Sequence, residues 1–346
     1  MSFGLDHLPY GVVDGRCVVR YGDAMVRLDR VPGLPPVFDG PTLNPFLALG
    51  PSAWQAVRER LVDVLGAGDA ELEPLGEPQL PVAVGDYVDF YSSLEHATNV
   101  GRLFRPDADP LLPNWRALPV GYHGRAGSVV VSGTPIARPS GLRPSFGPTE
   151  ELDFELELGF VTGAGGPRIA AAAARQHVFG FVLVNDWSAR DIQRFEYRPL
   201  GPFLGKSFAT SIAGWITPLA ALEPYLVPAV PQDPVPAGYL RVAGDWALDI
   251  ALEVELNGEV ITRGNARGLY WTFPQQLAHA TVNGAAVRPG DLFASGTISG
   301  FEPGTEGSLL ESGRGFLDDG DTVVMRGTAG SIVLGEVRGT VVPEPP

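Results

Sequence analysis

The sequence predicts a mainly β protein, its strands stacked as a sandwich and not doubly wound around a parallel sheet. Three observations carry that expectation. The chain holds 44 glycines and 33 prolines among 346 residues, which suits frequent turns and opposes a helical bundle. Short alternating or β-branched segments recur along it, and alternation of period two marks a half-buried strand. Regular amphipathic crossovers, which a parallel sheet needs between its strands, do not separate them.

Taken in order, Gly11–Val13, Arg16–Arg20 and Ala24–Leu28 read as short strands divided by glycine and aspartate turns. Residues 31–41 are proline-rich. Ser52 is then expected to cap an amphipathic helix ending at Leu65, with Trp54, Val57, Leu61 and Leu65 on one face. The texture changes near Leu80, which places a boundary between a unit of residues 1–80 and one of residues 81–346. Beyond it, Ser128–Ser132, Leu152–Val161 and Val178–Val184 read as strands, and residues 223–238 as a surface loop. Leu248–Leu256 alternates and runs into Asn257-Gly258, a strong hairpin signal. Phe273–Thr281 is the expected short helix. Residues 321–342 close the chain as several strands.

Charge and cysteine content exclude whole classes of function. A formal charge of −15 opposes binding to nucleic acid or to anionic membranes. Cys17 is the single cysteine, so neither an internal disulfide nor a thiolate metal cluster can form. No segment approaches the roughly 18 apolar residues that span a bilayer, and the N-terminal residues lack the pattern of a signal peptide. A cytoplasmic protein is expected.

Candidate chemistry begins with acids. In Leu152-Asp153-Phe154-Glu155-Leu156-Glu157-Leu158 the alternation sends carboxylates to one face, and residues two apart on a strand lie about 7 Å from each other. Two such carboxylates can reach one hard cation, Mg²⁺ or Ca²⁺. A solvated strand face gives the same pattern, and Asp249-Ile-Ala-Leu-Glu253-Val-Glu255-Leu repeats it. Periodicity alone does not choose between the two strands. Asp186 ends an apolar run and Asp89 sits among aromatics, where an unpartnered carboxylate is costly. Both are candidates to share a cation.

The five histidines are His7, His96, His123, His177 and His279. His96, seven residues after Asp89 in a polar segment, is the best general-base candidate, with His123 its competitor; imidazole titrates in the range such a base needs. Lys206 is the only lysine beside 24 arginines, which suggests a need for a compact ammonium. Its Gly205-Lys206-Ser207 is not a phosphate-binding loop, because Leu200 stands where that motif requires glycine. Arg190 and Gln193 follow Asp186 closely and could both donate to an oxyanion.

At these residues the chain resembles the fumarylacetoacetate hydrolase family. The resemblance is carried by Asp-Phe-Tyr-Ser-Ser (89–93), His-Ala-Thr-Asn-Val-Gly (96–101), Leu-Pro-Val-Gly-Tyr-His-Gly-Arg (118–125) and Asn-Asp-Trp-Ser-Ala-Arg-Asp-Ile-Gln (185–193). Pro-Leu-Gly-Pro-Phe-Leu-Gly-Lys-Ser-Phe (199–208) and Ala-Ser-Gly-Thr-Ile-Ser-Gly (294–300) extend it over nearly the whole chain.

The resemblance implies a small SH3-like N-terminal barrel, a larger β-sandwich roll and a homodimer. It implies that Asp89, Glu155, Glu157 and Asp186 hold a divalent ion, Mg²⁺ or Ca²⁺, and so selects the first acidic strand. A second Mg²⁺ site would involve Asp186, Lys206 and Thr210, although Ala209 replaces an expected glycine. Tyr91, Arg105, Tyr122, Gln193, Tyr197 and Thr297 would contact substrate. His96, oriented by Glu311, would activate water, and Arg190, Gln193 and Lys206 would stabilise the oxyanion. The implied reaction is hydrolysis of the carbon–carbon bond of 4-fumarylacetoacetate, a 1,3-diketo acid, to fumarate and acetoacetate in tyrosine and phenylalanine degradation. Acylpyruvate hydrolases and oxaloacetate-type decarboxylases use the same metal cage and are the alternatives within the superfamily. A non-catalytic dicarboxylate- or metal-binding protein is the rival of another class, but simple binding needs neither a base nor its orienter.

Overall fold

The computed structural model describes residues 3–344. Strands β1 (Tyr10–Val13), β2 (Arg16–Tyr21) and β3 (Ala24–Arg27) form the expected antiparallel meander. Helix α1 (Pro51–Ala67) extends past both expected ends. Its cap is Gly50 at φ 81° and not Ser52, with Pro51 in the first turn. Proline fits there because the first N–H groups of a helix have no partner within it. Val57, Leu61 and Leu65 are buried as the periodicity predicts, while Trp54 is half-buried.

Strands dominate the rest, and the protein is mainly β. In chain order they include β4 (Tyr87–Phe90), β5 (Gly121–His123), β6 (Leu156–Thr162) and β7 (Val178–Asp186). They continue with β8 (Thr210–Ile212), β9 (Trp215–Pro218), β10 (Ala251–Leu256) and β11 (Glu259–Asn265). The last three are β12 (Leu292–Ala294), β13 (Thr322–Ala329) and β14 (Ile332–Val342). The short helices that punctuate them include α2 (Leu94–Phe104), α3 (Arg190–Glu196), α4 (Phe273–Thr281) and α5 (Leu309–Ser312). The predicted bounds of α4 hold, because Thr272 and Gln275 form a capping box at its start. Helices α2 and α3 are not legible in the strand pattern.

The large sheet runs β3-β2-β1-β9-β7-β6-β12-β4-β5. Tyr10 of β1 lies opposite Ile216 of β9, so backbone pairing carries the N-terminal meander directly into it. A second sheet, β11-β10-β13-β14, packs against β7, where Gly327 of β13 lets Leu183 come close to its backbone. Asn257 and Gly258, at φ 52° and 88°, make the predicted turn between β10 and β11. The core beneath the central strands is aromatic. Phe160 stacks on Phe293 at 4.7 Å and meets Phe273 edge-on at 5.8 Å.

Alternation breaks down at one decisive place. The expected strand Leu152–Val161 is interrupted at Phe154-Glu155: Leu152–Asp153 pairs with Ser188–Ala189, and β6 starts at Leu156. Every residue of β6 is buried, because β7 and β12 flank it and both faces are covered. Its one acid, Glu157, does not face water.

His7 pins the N-terminal segment to the large sheet. It is fully buried, with Nε2 2.9 Å from Thr217 Oγ1. Burial lowers its pKa from 6.5 to about 4. The unfolded chain therefore binds the extra proton between those values, so stability is complete above pH 6.5 and declines as pH falls toward 4. His7→Gln should flatten Tm against pH across that window, as followed by circular dichroism. An unchanged slope would assign the acid sensitivity elsewhere.

Candidate active site

Sheet register gathers the first acids. Asp89 of β4 lies opposite Ala294 of β12, which lies opposite Gly159 of β6; Glu157 is two residues back, and faces Val184, two before Asp186. Opposed residues and their i±2 neighbours share a face. Asp89, Glu157 and Asp186 consequently converge from three strands, with carboxylate oxygens within 4.8 Å of one another. All three are buried.

This arrangement is electrostatically costly without a cation. Burial, then the neighbouring Asp186, pushes the Asp89 carboxyl up to about 7 against the pull of Arg125 and Lys206. Burial and the charges of Asp89, Asp186 and Glu155 push Glu157 well above the carboxylate range. Asp89 Oδ1 and Glu157 Oε1 are buried and have no hydrogen-bond partner among the described residues. Free, crowded oxygen donors in a dry pocket fit a hard divalent cation.

Glu155 is treated differently. The break before β6 directs it to Lys206, which contacts its Oε2, and to Arg190, whose Nη1 donates to its Oε1 at 2.8 Å. Burial disfavours its charge, but Lys206 and Arg190 outweigh that and hold its pKa below the usual range. Lys206 Nζ also donates to Asp186 Oδ2 at 2.7 Å, and Thr210 Oγ1 donates to Asp186 Oδ1 at 2.8 Å. The lone lysine is buried and paired with two acids, the setting in which an ammonium is retained. Arg190 Nη1 reaches Gln193 Oε1 at 3.2 Å.

Sequence reasoning gave Arg125 no role. Its Nη2 donates to Asp89 Oδ2 at 2.6 Å and its Nη1 to Asp186 Oδ1 at 2.8 Å. The guanidinium lies over the rings of Tyr87 and Tyr122, and Tyr122 donates its hydroxyl to Asp89 Oδ2 at 2.8 Å. Arg125 adopts a left-handed backbone, φ 71°, which costs a non-glycine residue about 1 kcal/mol or more. Two buried charge-assisted hydrogen bonds offset that cost. Its only mark in the sequence is its place after Gly124, at the end of Gly121-Tyr122-His123-Gly124-Arg125.

Beside the acids stands a dyad. His96 Nδ1 donates to Glu311 Oε2 at 2.7 Å, and both side chains are buried. Glu311 also accepts from Asn99, Ser299 and Ser308 at 3.1, 2.9 and 2.8 Å. Its pKa is lowered to about 2, because His96, Asn99 and Ser308 outweigh burial. Ser93 caps α2 by accepting from the His96 N–H at 3.2 Å. A serine cap with Glu95 in the first turn was the overlooked sign of that helix.

Of the remaining expected contacts, one lies against the dyad. Tyr91 meets His96 edge-on at 5.3 Å. Burial raises the pKa of the Tyr91 hydroxyl, Glu311 and Glu155 adding to that and Arg105 and Arg190 opposing it, so all four charges reach it. Thr297 Oγ1, Arg190 Nη2 and Arg105 Nε are buried without partners among the described residues. Tyr197 is half-buried, its ring 6.4 Å from that of Phe104. The competing His123 is exposed and bonded to Asp86, outside the cluster.

Two family models match the chain: "Fumarylacetoacetate (FAA) hydrolase C-terminal" over residues 87–342 and "Fumarylacetoacetase N-terminal" over residues 6–79. The chain belongs to the fumarylacetoacetate hydrolase family. Among its relatives, fumarylacetoacetase of Rattus norvegicus is 44% identical, with 99% of this chain and 96% of the relative covered. Fumarylacetoacetase of Homo sapiens is 43% identical at the same coverage, and that of Arabidopsis thaliana 42%. Among solved structures, a putative HpcE protein from Mycobacterium smegmatis superimposes with TM-score 0.65 at 22% identity, covering 97% of this chain and 99% of its own. Maleylpyruvate hydrolase from Sphingobium superimposes with TM-score 0.64 at 17% identity, over 97% and 100% of the chains. Those structural likenesses speak to the fold.

Of the two acidic strands, the first is the buried one, and the second is a surface ladder. Glu253 and Glu255 are half-buried and pair with Arg263 and Arg326, Glu255 at 2.7 Å from Arg326. Asp249 accepts from Asn265 at 2.7 Å. Exposed pairs of this kind contribute about 0–1 kcal/mol. Glu253→Gln should therefore leave divalent-ion affinity unchanged by titration calorimetry and shift Tm by no more than a degree or two. A loss of affinity would return this strand to the candidate set.

Proposed function

We propose that the chain hydrolyses the carbon–carbon bond of 4-fumarylacetoacetate to fumarate and acetoacetate, a terminal step of tyrosine and phenylalanine degradation. The observation that carries this reading is the buried His96–Glu311 dyad beside a buried acid cluster. A binding protein needs no oriented base.

In this reading Asp89, Glu157 and Asp186, with Glu155 at their edge, hold Mg²⁺ or Ca²⁺, and Asp186, Lys206 and Thr210 border a second Mg²⁺ site. A divalent ion bound there would supply Lewis-acid and templating chemistry for the 1,3-diketone. His96 takes a proton from water as the water oxygen bonds to the carbonyl carbon. Glu311 fixes the imidazole so that Nε2 is left to accept it. Arg190, Gln193 and Lys206 donate toward the oxyanion, and the unpartnered Arg190 Nη2 is a donor in reserve. As the carbonyl re-forms, the carbon–carbon bond breaks and its electron pair leaves as the enolate of acetoacetate. The proton held on His96 then returns to that carbon. Tyr91, Arg105, Tyr122, Tyr197 and Thr297 bind the substrate and exclude water.

The same reading takes residues 1–80 as an SH3-like barrel and 81–346 as a β-sandwich roll, the first two and last two residues lying outside those described. The separate N- and C-terminal family matches support that division. It also takes the protein to be cytoplasmic and a homodimer. Among the described residues no helix is long and apolar enough to cross a membrane. The exposed Phe195, Leu200, Phe203 and Leu204 offer apolar area for a second copy.

Steady-state assays with 4-fumarylacetoacetate, acylpyruvates and oxaloacetate, with and without chelator, test the proposal. Chelator-sensitive turnover is expected with 4-fumarylacetoacetate. Preference for an acylpyruvate or oxaloacetate would move the chain to those activities, and binding without turnover would reject hydrolysis.

A further inference from the structure

Asp153 is the first of the three alternating acids and the one the chemistry above does not use. It is fully buried, and its carboxylate accepts four hydrogen bonds. Oδ1 accepts the N–H of Phe154 at 2.7 Å and of Leu309 at 2.8 Å. Oδ2 accepts the N–H of Leu310 at 3.1 Å and Nε of Arg190 at 2.8 Å. With these acceptor positions taken inside the protein, Asp153 has little capacity left to bind a substrate or an ion.

We propose that Asp153 is a positioning residue that locks the His96–Glu311 dyad to the Arg190 side of the acid cluster. The inference rests on the function proposed above. Leu309 and Leu310 open α5, the turn that carries Glu311. Arg190 in turn holds Glu155 Oε1 and Gln193. One carboxylate thus ties the orienter of the base to the guanidinium that faces the oxyanion, across 156 residues of chain between Asp153 and Leu309. Stability alone does not require a charge here, since replacing buried ionic groups with apolar ones often costs nothing. A carboxylate is, however, the group that can accept from two backbone N–H groups and a guanidinium at once. Asp153 and Glu155, two residues apart, both reach Arg190.

Asp153→Asn keeps the shape but turns one acceptor into a donor against Arg190 or the α5 turn. Partners standing behind functional ligands are typically worth about 10- to 100-fold, so kcat should fall by that factor. KM and the Mn²⁺ affinity of the metal-free protein, by calorimetry, should stay within about threefold. A second readout needs no turnover. With ¹⁵N-labelled histidine, the Nδ1–H resonance assigned by its loss in His96→Gln should shift or broaden in Asp153→Asn. Unchanged kcat and resonance would overturn the proposal. So would a parallel fall in kcat, Mn²⁺ affinity and Tm, which marks general loosening. If the asparagine variant does not fold, Asp153→Ser, which leaves room for water, takes its place. A wild-type chain inactive on every substrate would sink the functional reading alone, and the resonance would still decide the role of Asp153.

Discussion

His96→Gln should lower kcat by about a thousandfold, within the range of about 10²- to 10⁴-fold that a positioned general base contributes. Its affinity for a divalent ion, measured by calorimetry, should not change. The separation follows from geometry. His96 bonds to Glu311 and Ser93, whereas the crowded carboxylates are on Asp89, Glu157 and Asp186. Glutamine can still donate to Glu311, so the fold should be kept and Tm should move little. Glu311→Gln should cost less than His96→Gln, because the imidazole remains and loses only its orienter. Loss of ion binding together with turnover in His96→Gln would show that the histidine belongs to the cation site and not to the base.

Glu157→Gln should act in two opposite directions. Ion affinity should fall by more than about 100-fold, since partners standing behind a ligand are alone worth about 10- to 100-fold. In chelator, however, the variant should be more stable than the wild type, because it removes an acid whose ionisation burial and the neighbouring carboxylates oppose. A gain of about 1 kcal/mol would raise Tm by about 2 °C in a chain of this size.

Asp89 supplies the pH dependence. Its pKa is raised from 3.8 to about 7 in the folded protein without a cation. Between those values the folded state holds a proton that the unfolded state releases, so stability falls as pH rises through the window. The stabilisation by added Mg²⁺ or Mn²⁺, read as a difference in Tm against chelator, should accordingly grow from pH 4 to pH 7. A difference independent of pH, with a less stable Glu157→Gln protein in chelator, would mean the acids are not a cation cage.

Legibility from sequence varied with how local the cause was. The hairpin at Asn257-Gly258 and the helix Phe273–Thr281 were readable because turn and cap chemistry lie within a few residues. Helix α2 escaped because Ser93 and Glu95 were read as a polar segment and not as a cap. The start of α1 was misplaced because Gly50, not the more usual serine, takes the cap. Asp153, Glu155 and Glu157 read as one face of one strand, yet Asp153 and Glu155 share Arg190 while Glu157 turns to Asp89 and Asp186. Arg125 had no local signature beyond a glycine before it.

Composition and residue order alone established a turn-rich β protein with no internal disulfide, and its long motifs named the family. They also named every acid that converges at the site. Only the tertiary structure decided which acidic strand is buried, because alternation is the same on a buried and a solvated face. The pairing of β6 between β7 and β12 covers one, and Arg263 and Arg326 leave the other as a surface ladder. It also decided that Asp89 and Asp186, 97 residues apart in sequence, share one arginine. Charges that distant meet through sheet register, a property of the whole fold that no local window of sequence contains.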